Sequence, residues 1–329
     1  MHMADALISP AVGGAMWTAT AVTTVYCARK VRRDLDESKI PLMGVAGAFI
    51  FAAQMLNFTI PGTGSSGHIG GGLILAILLG PEAAFLVMAS VLSVQALFFA
   101  DGGLLALGAN IFNLGFFPAF VAYPLIYRRI VGDSRSRRRI VTGSMLAAIV
   151  GLQLGALGVV LETTASGISD LPFSTFAAIM LPIHLAIGVV EGLVTSAVVL
   201  FVLKAQPELL ARTARRSPLR GLRLKPVLIG LAVAALVAGG GLSWFASNNP
   251  DGLEWSIAKA SDTARLANSS GNTEANSVQD GAAGSAVNDG SAGSVAGVVG
   301  ALLVLAIAAS VGLVLRKRSA ARAAPARRR

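Results

Sequence analysis

Eight apolar stretches, each long enough to cross a lipid bilayer, run near residues 10–28, 40–58, 83–100, 104–127, 140–161, 174–203, 226–246 and 296–315. A crossing helix needs about 20 apolar residues. Lipid leaves no solvent partner for backbone N–H and C=O groups, so spans that bond internally are required. The expected fold is therefore all-α, a polytopic integral membrane helix bundle of about seven segments plus two C-terminal transmembrane helices. Composition agrees: 54% of residues are hydrophobic, 13% are charged and the mean hydropathy is +0.69, against roughly 25% charged in soluble domains. A ninth stretch, residues 68–80, is apolar but short and glycine-rich, and survives at membrane depth only when packed inside protein.

The net charge of +10 follows the same pattern. Of 27 Lys and Arg residues, 25 fall in four clusters, Arg29 to Lys39, Arg128 to Arg139, Lys204 to Lys225 and Arg316 to Arg329; Lys259 and Arg265 are the other two. Counting 68–80 as a crossing paired with 83–100 puts every cluster on one side. The positive-inside rule makes that side cytoplasmic, with the N-terminus outside and the C-terminus inside, in a plasma membrane. The basic surplus reads as orientation signal with anionic lipid as its contact, and no nucleic-acid partner is needed. The single cysteine, Cys27, excludes an intrachain disulfide framework and a cysteine-rich metal site. The opening Met1-His2-Met3-Ala4-Asp5 lacks the basic start of a secretory signal, so it is expected to remain on the mature chain.

Residues 1–204 read as a seven-segment body and 205–225 as a basic cytoplasmic linker. Residues 226–315 read as two crossings around an external loop, and 316–329 as a basic cytoplasmic tail. Within the loop, about 267–294 consists almost wholly of Ala, Gly, Ser, Asn and acidic residues, a composition expected to be disordered.

The chemistry begins at Met1-His2. A free terminal amine, the amide nitrogen of residue 2 and His2 Nδ1 can close fused chelate rings, and His68 can supply a fourth nitrogen. Four nitrogens in a plane suit Ni(II) or Cu(II), with Co(II) accommodated. Taken alone, His2 reads more readily as an exposed terminal histidine, and His68 has its own plain reading as a hydrogen-bonded histidine at a helix start. His68, however, lies in Gly64-Ser65-Ser66-Gly67-His68-Ile69-Gly70-Gly71-Gly72, where glycine permits close backbone approach.

These residues carry a resemblance. The opening Met1-His2-Met3-Ala4-Asp5-Ala6-Leu7, the Gly-Ser-Ser-Gly-His run, Phe99-Ala100-Asp101-Gly102-Gly103-Leu104 with Gly108-Ala109-Asn110, and His184-Leu185-Ala186-Ile187-Gly188-Val189-Val190-Glu191-Gly192 resemble the CbiM/NikM family. These are substrate-binding permeases of cobalt and nickel energy-coupling factor transporters. Pro250-Asp251-Gly252-Leu253-Glu254 resembles the small CbiN/NikN accessory component, here fused to the body.

The resemblance implies Met1, His2 and His68 as metal ligands, Co(II) or Ni(II) as cargo and no cofactor. It also implies ATP-driven import through a CbiQ/NikQ-like coupling subunit and CbiO/NikO-like ATPases. The chain itself has no Gly-x-x-x-x-Gly-Lys-Ser/Thr loop to cradle ATP, so it is expected to be a transporter subunit rather than an enzyme. Relatives commonly carry Pro-Asp-Gly where this chain has Ala4-Asp5-Ala6, a change to the bend of the terminal segment rather than to its ligands.

Gln54, Asn57, Gln95, Asn110 and Asn113 sit in apolar segments, as partners of the ligands, as lining of the path, or as helix–helix hydrogen bonds. His184 and Glu191, seven apart on one helix face, can pair or line an entry path. Asp251 and Glu254 read as a solvated turn in preference to an outer metal trap. Two rival functions use the same residues. One is a rhomboid-like intramembrane serine protease built on Ser66 and His184; the other is an ATP-independent cation carrier.

Overall fold

The computed structural model describes residues 2–34, 36–269 and 290–323, with side chains described up to 263 and over 295–314. The described chain is helical apart from one short hairpin. Ser9 opens α1 (Pro10–Arg33), its hydroxyl accepting the Val12 N–H at 3.4 Å with proline at the first helical position, where a missing N–H costs nothing. Next come α2 (Lys39–Gln54), the antiparallel strands β1 (Phe58–Ile60) and β2 (Ser65–Gly67), α3 (Gly72–Leu79) and α4 (Pro81–Phe99). The body closes with α5 (Leu107–Val131), α6 (Arg137–Ser166) and α7 (Phe173–Ala205). In α5 the bonding widens to i→i+5 over Phe112–Tyr127, around Pro118 and Pro124, whose rings lack the N–H of a regular ladder. The short α8 (Pro207–Ala214) precedes α9 (Lys225–Phe245), α10 (Gly252–Ser269) and α11 (Gly290–Ala323).

Six described helices are long and apolar enough to cross a membrane, α4, α5, α6, α7, α9 and the Val295–Val314 part of α11, while α2 is apolar but shorter. Their outward faces carry large apolar side chains such as Leu97, Leu125, Leu193, Phe201 and Ile229, as a lipid-facing surface requires. The stretch 68–80 resolves into an extended piece followed by the eight-residue α3, every residue of which is buried. Its far end reaches the basic end of the bundle. There the Leu78 carbonyl accepts the Thr213 hydroxyl at 3.2 Å, and Glu82 pairs with Arg216 at 3.1 Å. Part helix and part irregular backbone, it is buried by α2, α4 and α5, the condition for such backbone at membrane depth.

The two C-terminal spans pack on the body through small residues. A side chain at Gly44 would sit 3.3 Å from the Leu305 carbonyl, and one at Gly47 3.1 Å from Val304. Glycine there lets α11 approach α2 closely, the usual device where lipid supplies no hydrophobic drive between helices.

The segment expected to be disordered, about 267–294, lies mainly outside the described residues. Its edges, 267–269 and 290–294, are helical ends of α10 and α11.

Candidate metal site

The end of the bundle opposite the basic clusters gathers the hairpin, the loop after α4, the terminal segment and the start of α10. Met1 lies outside the described residues. From His2 onward the terminal segment is threaded into the body, and Met3 is fully buried. The Met3 N–H donates to Asn110 Oδ1 at 2.8 Å, and its carbonyl accepts from Asn110 Nδ2 at 3.1 Å and from the Gly103 N–H at 2.9 Å. Asp5 Oδ1 accepts the Ala106 N–H at 3.0 Å. Asn110, expected as a polar residue of undecided role, is thus the side chain that pins the terminal segment.

This docking lays the His2 ring on His68, centroids 4.9 Å apart and planes 17° from parallel. His68 Nδ1 lies 3.1 Å from the Ile69 carbonyl. A carbonyl only accepts, so the proton sits on Nδ1 and Nε2 carries the lone pair. His2 Nδ1 lies 2.9 Å from Asp101 Oδ1, and its Nε2 is buried without a partner among the described residues. The nitrogen that a terminal chelate requires is therefore engaged by Asp101. Burial pushes the Asp101 carboxyl up, but the neighbouring His2 charge and the hydrogen bond to it outweigh this and hold it at about 2. Among the described residues no three His, Cys, Asp or Glu side chains converge as a metal cage.

The loop bearing His68 is held from two sides. Glu191 accepts the Gly70 and Gly71 N–H groups, one on each oxygen, both at 3.0 Å. Gln54 Nε2 donates to the Gly70 carbonyl at 2.7 Å, and Gln95 Nε2 donates to Gln54 Oε1 at 3.0 Å. Gly71 has φ +77° with Ile50 close behind it, and a side chain at Gly72 would strike the Leu114 carbonyl, so the loop fits only as a glycine run. Asn113 stands further off, donating to the buried Glu162 at 2.8 Å; Glu162 carries no local signal in sequence beyond its charge. The Asn57 carbonyl accepts the Ser247 N–H at 2.8 Å, which places Asn57 against the C-terminal part rather than the histidines. Cys27 is a buried free thiol remote from this network.

Two expectations are corrected. His184 and Glu191 do not pair: His184 Nδ1 bonds the Met180 carbonyl one turn back, at 2.8 Å, while Glu191 is committed to the glycine loop. Pro250-Asp251-Gly252 is only in part a solvated turn, with Pro250 exposed, Asp251 half-buried and Gly252 buried. Asp251 caps α10, accepting the Glu254 N–H at 2.8 Å, and Glu254 returns a bond from the Asp251 N–H at 3.3 Å, a reciprocal capping box.

The capped end is pressed onto the site. The Ser66 N–H donates to the Pro250 carbonyl at 2.8 Å and the Ser66 hydroxyl to the Asn249 carbonyl at 2.8 Å. Gly252 and Leu253 are buried. Burial opposes ionisation of Asp251, but charge interactions with the groups facing it and the Glu254 N–H hold its carboxyl below the ordinary range. Local turn chemistry was legible; its burial depends on contacts more than 180 residues away in sequence. The same bonds break the protease dyad, since the Ser66 hydroxyl is directed at Asn249 rather than at His184.

A bundle with six helices long and apolar enough to cross a membrane, and an N-terminal segment threaded onto a loop histidine, fits a membrane transport component. Comparison with known proteins agrees. Residues 2–209 match the family model described as the cobalt uptake substrate-specific transmembrane region, and residues 225–317 match the PDGLE domain. The chain belongs to this cobalt and nickel transport family, with both parts fused in one polypeptide. It is 34% identical over 259 residues to the fused nickel transport protein NikMN of Rhodobacter capsulatus, covering 73% of this chain and 74% of that one. To the cobalt transport protein CbiM of Sorangium cellulosum it is 29% identical over 219 residues, covering 64% of this chain and 95% of that one. A crystal structure of a transition metal transporter superposes with a TM-score of 0.56 at 30% identity, covering 67% of this chain and 100% of that one.

Proposed function

We propose that this chain is the substrate-binding permease of an ATP-driven importer, taking Co(II) or Ni(II) from outside the plasma membrane and passing it to the cytoplasm. The observation that carries the reading is the stacking of His2 on His68 by a terminal segment pinned through Asn110, Gly103 and Ala106. Met1 amine, the His2 amide and imidazole nitrogens and His68 then form the planar nitrogen set. Closing it turns the His2 ring away from Asp101, so capture exchanges one bond for coordination.

Gln54, Gln95 and Glu191 hold the His68 loop, and residues 250–253 of the fused component cover the site from outside. In this reading 1–204 is the metal-binding body, 205–225 a cytoplasmic linker, 226–315 the accessory component and 316–329 a cytoplasmic tail. A coupling subunit and ATPases supply the energy. An open cavity of about 830 Å³ at the basic end, bordered by Lys30, Asp34, Lys39, Glu82 and Arg220, offers mixed charge to such a partner. Reconstitution with and without ATPase subunits tests the reading: uptake of radioactive Ni(II) should require ATP, and ATP-independent uptake would leave the simple-carrier reading in its place.

A further inference from the structure

His184 has no role in the site described above, yet it is 1% exposed and chemically poised. Its Nδ1 proton is fixed by the Met180 carbonyl at 2.8 Å, so Nε2 presents a lone pair. That Nε2 is buried and has no hydrogen-bond partner among the described residues. A buried acceptor without a donor is costly, and His184 lines a small cavity.

The cavity is lined by Gly67, His68, Gly70, His184, Asp251 and Gly252, among others, and offers about 10 Å³ to the centre of a water-sized body, room for a single water or ion. Its outer wall is the capped start of α10. A side chain at Gly252 would stand 3.2 Å from His184 Cε1 and 3.0 Å from Ile187, so glycine lets the accessory segment close on the imidazole and bring Asp251 to the cavity wall. A second cavity shares Gly70, Leu114 and Leu152 with the first and continues to Asn113 and Glu191.

We infer that this cavity is a second, weaker cation position, in which His184 Nε2 and the Asp251 carboxylate hold Co(II) or Ni(II), with water, on its way to or from His2 and His68. Imidazole and carboxylate both suit these ions. Two side-chain ligands bind less firmly than a planar set of four, and a transit position must be left as readily as it is entered. The position is assembled from both fused parts, which gives the accessory component a direct share in handling the metal. The inference rests on the transport reading above.

Co(II) titration of the purified full chain, untagged at its N-terminus, followed by visible absorption, tests it. Wild type should show one tight and one weak class of sites. His2→Ala should lose the tight class and keep the weak one; adding His184→Ala or Asp251→Asn should weaken the remainder at least tenfold. Asparagine still caps a helix, so Asp251→Asn serves where His184→Ala fails to fold. Weak binding unchanged in the folded double variants, or no weak class beside an intact tight one, overturns the inference alone. Absence of all Co(II) and Ni(II) binding in wild type overturns the transport reading and the inference together.

Discussion

A methyl group at Gly103 should disable the metal site without touching a ligand. The Gly103 N–H bonds the Met3 carbonyl at 2.9 Å, and a side chain built there overlaps both the carboxyl group and the backbone nitrogen of Asp5. Neither can swing aside, because Asp5 Oδ1 is held by the Ala106 N–H at 3.0 Å. Carbon contacts relax only near 3.5–4.0 Å, so the segment must retreat by about 1 Å or more, whereas metal–ligand distances tolerate roughly 0.2 Å. Overpacking of this kind costs about 1–3 kcal/mol. If it falls on the docked segment that capture needs, Ni(II) affinity drops roughly 5- to 150-fold, at about 1.4 kcal/mol per decade. Titration calorimetry of Gly103→Ala measures this, with Gly14→Ala as the control, since a methyl group there meets nothing within 4 Å. Wild-type affinity in a folded Gly103→Ala would refute the claim that the docked segment makes the site.

Other expectations follow from the same geometry. Glu191→Gln leaves one acceptor for two buried N–H groups; an unpaired N–H costs about 1–3 kcal/mol, and a loop that must be reordered on binding should weaken Ni(II) affinity by tenfold or more, so unchanged affinity would remove the clamp. Residues added before Met1 should abolish tight Ni(II) binding by displacing the amine, and equal affinity with and without the extension would eliminate the terminal chelate. Ser66→Ala should spare metal uptake, whereas loss of a peptidase activity in that variant would restore the protease reading. Binding should release protons, so apparent affinity should rise from about pH 6 to about pH 8. Asp101, held at about 2, is ionised throughout that window. Its depressed pKa makes its contribution to the stability of the folded chain complete above about pH 4 and lost only as the pH falls towards its folded value, so a binding transition confined to strong acid would contradict coordination by imidazole and amine.

Much of this protein is written locally. Runs of apolar residues near bilayer length, and basic clusters at every second boundary, determine a helical membrane bundle and its grouping of ends, because lipid imposes internal backbone bonding and charge marks the interfaces. Met1-His2 and the glycine-framed His68 are legible as ligand candidates from chemistry alone. The partners are another matter. Asn110 holds Met3 across 107 positions, Glu191 holds Gly70 across 121, and Ser66 receives the accessory segment across 183. Such contacts leave no periodic trace, so polar residues at membrane depth could be noticed in the sequence but not assigned. Pro250-Asp251-Gly252 shows the limit most plainly. Its turn chemistry is local and equally suits open water, and only the packing of α10 onto α7 and the hairpin turns it into the cover of a buried site.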